Sequence, residues 1–128
     1  MAEMTIKKRP KNLDLATIRL PLPGKVSILH RVSGAGLFLC FPLILWLFSA
    51  SLTSPETFAV FKSVFSSLPA KVVLAGLIWA YIHHFCAGIR FLLLDLHVGI
   101  EKEAARKSAA VVFAVSIPLT LVFWGVLL

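Results

Sequence analysis

Val72 to Leu94 reads V-V-L-A-G-L-I-W-A-Y-I-H-H-F-C-A-G-I-R-F-L-L-L, twenty-three residues broken only by His83, His84 and Arg90. About 20 apolar residues, at about 1.5 Å of rise each, cross a hydrocarbon core of about 30 Å as a helix. Two further stretches meet the same requirement. Gly34 to Leu52 is 19 residues without a charge, and Ala109 to Leu128 is 20 residues without one. No run alternates polar with apolar residues as a membrane β-barrel strand must. The expected fold is therefore an all-α integral membrane protein with three transmembrane helices, over about 29–52, 70–94 and 108–128.

The whole-chain composition agrees. The 128 residues are 59% hydrophobic and 15% charged, with a mean hydropathy of +0.91. A soluble domain averages about 45–50% apolar and about 25% charged, and so short a chain has no single core able to hide the excess. The net charge of +7 invites a nucleic-acid reading, but the basic residues are placed for a membrane instead. Cys40 and Cys86 both fall inside apolar segments, where a small hydrophobe is the ordinary reading. Their spacing resembles no metal or redox motif.

Punctuation separates the spans. Thr53-Ser54-Pro55-Glu56 closes the first and Ser66-Ser67-Leu68-Pro69 opens the second, with Pro at a tolerated helix start. Phe58 to Phe65 is amphipathic enough for a short surface helix, and Glu101 to Lys107 is a charged turn. Pro42 and Pro118 fall within spans, where kinks are tolerated. Residues 1–26 form a basic N-terminal segment ahead of a membrane domain over 27–128. That segment has no continuous apolar region for a signal peptide. Glu3, Asp14 and a shortage of hydroxyls argue against a mitochondrial presequence despite Lys7, Lys8, Arg9, Lys11 and Arg19. The start reads as that of a mature bacterial protein.

Ionisable groups inside spans are expensive and are functional candidates by default. No acid occurs in any span before Asp95, which argues against a proton-coupled drug transporter and a charged channel filter. Gly76, Ala80, His84 and Gly88 repeat at i+4, hence form one stripe. Small residues there admit either a neighbouring helix or, with an imidazole among them, a flat macrocycle carrying an axial ligand. His83 lies about 100° round from His84 and is expected to hydrogen-bond or face a partner. Arg90 is expected to snorkel toward headgroups or meet a carboxylate. At the other mouth Ser27, His30 and Arg31 stand at i, i+3 and i+4. They read either as a cap with an interfacial anchor, or as the hydroxyl and cation that a quinone carbonyl needs as it gains negative charge.

These residues carry a resemblance. R-P-K-N-L-D-L (Arg9 to Leu15), S-I-L-H-R-V-S-G (Ser27 to Gly34) and H-F-C-A-G-I-R (His84 to Arg90) followed by Asp95 resemble the cytochrome b membrane-anchor family of succinate dehydrogenase, respiratory complex II, over nearly the whole chain. Family members often carry His after the G-I-R arginine; here that position is Phe91. The resemblance implies a helical bundle completed by a second membrane-anchor subunit and joined to an iron–sulfur subunit and a flavoprotein subunit. It implies Ser27 and Arg31 as quinone-binding residues, His84 as one axial ligand of haem b, and His30 and Arg31 near the haem propionates. The second axial histidine would come from the partner anchor; His97 is too close to a loop to serve. Ubiquinone is the implied substrate, with no catalytic residue for succinate in this chain and no nucleic acid among its partners. Competing readings are the anchor of a menaquinol-using fumarate reductase and a purely structural membrane anchor or assembly protein.

Lys and Arg outside the spans fix an expected orientation. Residues 1–33 hold seven and 95–108 hold three, against two in 53–71 and none at the C-terminal end. Ten against two places the N-terminus in the cytoplasm and the C-terminus in the periplasm of a bacterial inner membrane. A reporter fused after Leu128 is expected to be active only outside, and one inserted at Lys102 only in the cytoplasm. The opposite pair of signals would refute the orientation.

Overall fold

The computed structural model describes residues 17–127, and the basic cluster and the R-P-K-N-L-D-L motif lie largely outside them. Four helices follow in order: α1 (Leu22–Ser51), α2 (Pro55–Ser66), α3 (Leu68–Asp95) and α4 (Lys102–Leu127). Helices α1, α3 and α4 are each long and apolar enough to cross a membrane, so the chain is a multi-pass membrane protein. The first begins earlier than its uncharged run suggests. Proline near its start needs no amide partner there and presets the helical φ, so α1 runs 30 residues, about 45 Å. Its first turns stand beyond the purely apolar stretch and carry Ser27, His30 and Arg31.

Helix α2 is the expected short surface helix, with no buried residue. Its start is held by a reciprocal capping box. The Thr57 amide donates to Ser54 Oγ at 3.2 Å, and the Ser54 amide donates to Thr57 Oγ1 at 3.0 Å, so two amides without helical partners are satisfied at once. The end of α3 is a Schellman turn. The Val98 amide reaches the Leu93 carbonyl and the His97 amide reaches that of Leu94, both at 2.9 Å, with His97 in the left-handed region at φ 60°. His97 is thereby an exposed C-terminal cap.

Helix α3 packs against both α1 and α4. The core at their crossing is Val26, Ala87, Ala109 and Val112. These are small side chains, as close helix approach in a membrane requires. The exterior is apolar instead: Phe38 is 78% exposed, Trp46 66% and Val126 78%. Such a surface is stable against lipid or another apolar chain, not against water.

Arg90 corrects the snorkelling expectation. It is only 6% exposed and turns toward α4, where Nε donates to Ser108 Oγ at 2.9 Å and Nη2 to the Ala105 carbonyl at 3.2 Å. Ser108 Oγ donates in turn to that same carbonyl at 3.2 Å. Three polar groups thus satisfy one another where α3 and α4 meet. Ser108→Ala is expected to lower stability by about 1–3 kcal/mol, because it leaves a buried guanidinium short of an acceptor. Arg90→Leu combined with Ser108→Ala is expected to recover part of that loss. Thermal unfolding in detergent of the two variants checks the order.

Candidate functional site

The first half of α1 and the second half of α3 meet across a pair of histidines. The rings of His30 and His84 stack with centroids 4.1 Å apart and planes 6° from parallel. Glycine makes this approach possible on α1. A Cβ on Gly34 would lie 2.6 Å from His84 Cε1, whereas one on Gly88 would make ordinary contact with His30 Nε2 at 3.7 Å. Phe91 tilts onto the other side of His30, with centroids 5.1 Å apart, and the Arg90 guanidinium lies over the Phe91 ring at 5.3 Å.

The bonding of His84 fixes its tautomer. Nδ1 lies 3.0 Å from the backbone carbonyl of His30 and 3.3 Å from Ser33 Oγ, while Ser33 Oγ donates to the same carbonyl at 3.0 Å. A carbonyl oxygen only accepts, so the proton of a neutral His84 ring sits on Nδ1. Nε2 is left with its lone pair. An imidazole whose Nδ1–H donates to a backbone carbonyl while Nε2 stays free is arranged as histidine metal ligands are. One face of α3 beyond it is open, since a Cβ on Gly76, two i+4 steps before His84, would meet nothing within 4 Å.

His83 corrects a second expectation. It neither faces a partner nor makes a hydrogen bond of normal geometry. It is completely buried, and its two ring nitrogens have no hydrogen-bond partner. Trp79 stacks on it at 5.0 Å and Phe113 of α4 tilts against it at 5.4 Å. The 100° step between adjacent helical residues sends His83 into the bundle and His84 toward α1.

Ser27 and Arg31 lie on α1 in the turn around His30. Ser27 is three residues earlier, about 4.5 Å along the axis; its side chain is half-buried and that of Arg31 is exposed. The structure therefore brings Ser27, His30, Arg31 and His84 to one end of the α1–α3 contact. Asp95 is exposed at the end of α3, outside this group. Sequence reasoning missed Ser33 and Gly34 as neighbours of His84. Their signal was available, since they follow His30 at i+3 and i+4 and so share its helical face.

Residues 5–123 match the family model of the succinate dehydrogenase/fumarate reductase transmembrane subunit. A succinate dehydrogenase cytochrome b556 subunit from Paracoccus denitrificans is 37% identical over 119 residues, covering 93% of this chain and 92% of that one. The cytochrome b556 subunit of Coxiella burnetii is 37% identical over 110 residues, covering 85% and 88%. That of Rickettsia felis is 28% identical over 117 residues, covering 91% of each chain.

His84 is the residue on which these observations converge. Exchanging it for Ala in the assembled membrane complex is expected to abolish or strongly deplete a b-type haem spectrum. Exchanging buried His83 for Leu, which keeps the volume and needs no hydrogen bond, is expected to leave that spectrum intact. Visible spectra of the purified complexes decide, and the reverse result would mean the two faces of α3 are misassigned.

Proposed function

Because the chain belongs to the succinate dehydrogenase/fumarate reductase transmembrane subunit family, we propose that it is the haem b- and ubiquinone-binding membrane anchor of a succinate:quinone oxidoreductase. It holds the soluble subunits at the membrane and offers quinone a site where electrons from the iron–sulfur subunit arrive. Succinate is oxidised elsewhere, in the flavoprotein. A second anchor subunit completes the bundle. The observation that carries the reading is the His84 imidazole, with Nδ1 tied to the His30 carbonyl and Nε2 free.

The residues present fit the haem. His84 would hold it through Nε2 beside the glycine-lined face, and a histidine of the partner anchor would complete its ligation. His30 and Arg31, at the same end of α1, lie where carboxylate side arms would be met by an imidazole and a guanidinium. When bound, haem b supplies a one-electron store beside the quinone site. The protein's own part is to present Nε2, to exclude water with apolar helix faces, and to aim polar groups at the quinone.

Those groups are Ser27 and Arg31. The Ser27 hydroxyl donates to a quinone carbonyl oxygen, and the exposed Arg31 guanidinium stabilises that oxygen as charge accumulates on it. An inert anchor would need neither. Orientation with the N-terminus in the cytoplasm puts both residues on the side where the iron–sulfur subunit docks. Relatives named as succinate dehydrogenase subunits support succinate oxidation over the fumarate reductase reading.

Arg31→Leu is expected to lower succinate–quinone reductase activity by roughly 10²-fold or more, the equivalent of about 2.7–4 kcal/mol at a transition state. Ser27→Ala is expected to cost less, about 1–2 kcal/mol, since water replaces part of a neutral hydrogen bond. Arg31→Lys keeps the charge without the planar fork and is expected to recover only part. Succinate oxidation by an artificial acceptor that bypasses quinone is expected to stay normal in all three. The assay is normalised to complex content. Normal ubiquinone reduction by assembled Arg31→Leu complex would reduce Arg31 to an interfacial anchor.

A further inference from the structure

We propose that Ser33 and Gly34, with the His30 carbonyl, form a clip on α1 that sets the ring plane and the donor strength of His84, and through it the redox potential of the haem. The inference rests on the reading of His84 as an axial ligand and adds two positioning residues that do not touch the iron themselves.

Three features of the clip act on one ring. The first is steric. A Cβ at Gly34 would stand 2.6 Å from His84 Cε1 and 3.1 Å from Nδ1. The obstructed atoms belong to a ring that is itself stacked on His30, so the ring has no free path aside. Gly34 is thus the clearance that lets the imidazole lie flat against α1. The second feature is the shared acceptor. In a regular helix the His30 carbonyl takes the amide of residue 34. Here it also receives Ser33 Oγ–H at 3.0 Å and His84 Nδ1–H at 3.0 Å. The third is Ser33 Oγ, which with its own proton committed to that carbonyl has lone pairs left for Nδ1–H, 3.3 Å away.

Acceptors that draw on Nδ1–H push electron density toward Nε2, making it a stronger donor to ferric iron and lowering the ferric/ferrous potential. Two acceptors from one turn of α1 do this together. Ser33 is only 5% exposed, so water does not readily take over its role. The same contacts fix the ring plane, which determines how the imidazole orbitals meet those of the iron.

The test uses the assembled complex, with haem content, visible spectrum, electron paramagnetic resonance and a potentiometric titration as readouts. Gly34→Ala is expected to lose most of the haem or to retain it with a displaced low-spin signal. Gly24→Ala, where the added Cβ meets its nearest atom at 3.6 Å, controls for helix propensity and is expected to behave as the parent. Ser33→Ala removes one acceptor without adding bulk. It is expected to keep the haem, raise its midpoint potential and shift its low-spin signal. An assembled Gly34→Ala complex with parental haem content, signal and midpoint overturns the proposal. Should Gly34→Ala fail to assemble, Ser33→Ala decides alone, and a midpoint that is unchanged or lower overturns it. His84→Ala separates the two levels of the argument: a bis-imidazole spectrum surviving that exchange defeats the ligand assignment itself, whereas its loss alongside an indifferent Ser33→Ala defeats only the clip.

Discussion

A backbone carbonyl inside a membrane helix is ordinarily satisfied by its own helix, because the bilayer offers nothing else. The His30 carbonyl breaks that isolation by also accepting from His84 on α3. A neutral imidazole has a single N–H, so this bond commits it and settles which nitrogen remains available. Much of the polar chemistry at this end of the molecule follows. The stacked His30 ring and the bare Cα of Gly34 are the conditions under which α1 and α3 come close enough for the bond to form.

The same bond helps to fix the rotation of α3 about its axis. Six residues separate His84 from Arg90, which at about 100° per residue is about 240° of helical turn. His84 therefore reaches α1 while Arg90 reaches Ser108 and Ala105 on α4. A helix tied on two sides by directional bonds cannot rotate without breaking one of them. His83 is carried into the space between, against Trp79 and Phe113. Nearer the start of α3 an apolar cavity of about 640 Å³ opens beside Leu37, Ile44, Leu77, Tyr81 and Phe123. Walls of this kind are as well solvated by hydrocarbon as by protein.

Much of this was legible before the structure. Three uncharged or nearly uncharged runs of the right length leave one solution in a bilayer, and the i+4 repeat through His84 marked a face of α3 that meets α1. What failed to show was the identity of whatever each face meets. The stripe of small residues set His84 apart from adjacent His83, but what each ring meets depends on the rotation of α3 and its contacts with both neighbouring helices. Arg90 was misjudged for a related reason. An arginine near a helix end snorkels when lipid surrounds it, but Ser108 lies eighteen residues away along the chain, and its hydroxyl announces nothing until α4 folds back. Helix α1 begins ahead of the span read from its uncharged run. Charge ends a hydrophobic span, whereas prolines in the first turn permit the helix to begin well ahead of it.

The two arginines near the site end also show why one of them, and not the other, suits an incoming oxygen. Both keep their charge through delocalisation over the guanidinium plane. Arg90 directs Nε and Nη2 at fixed acceptors and covers the Phe91 ring, so its orientation is committed and its burial bars approach. Arg31 sits one residue from His30 with its side chain exposed. Its donors can take up a ligand carbonyl without surrendering an existing bond, and the half-buried hydroxyl of Ser27 stands one turn away to take another share of that oxygen. Stabilisation of developing charge works best when donors are already in place and otherwise unengaged. On that ground the α1 pair, rather than the more deeply buried cation of α3, suits the proposed quinone site.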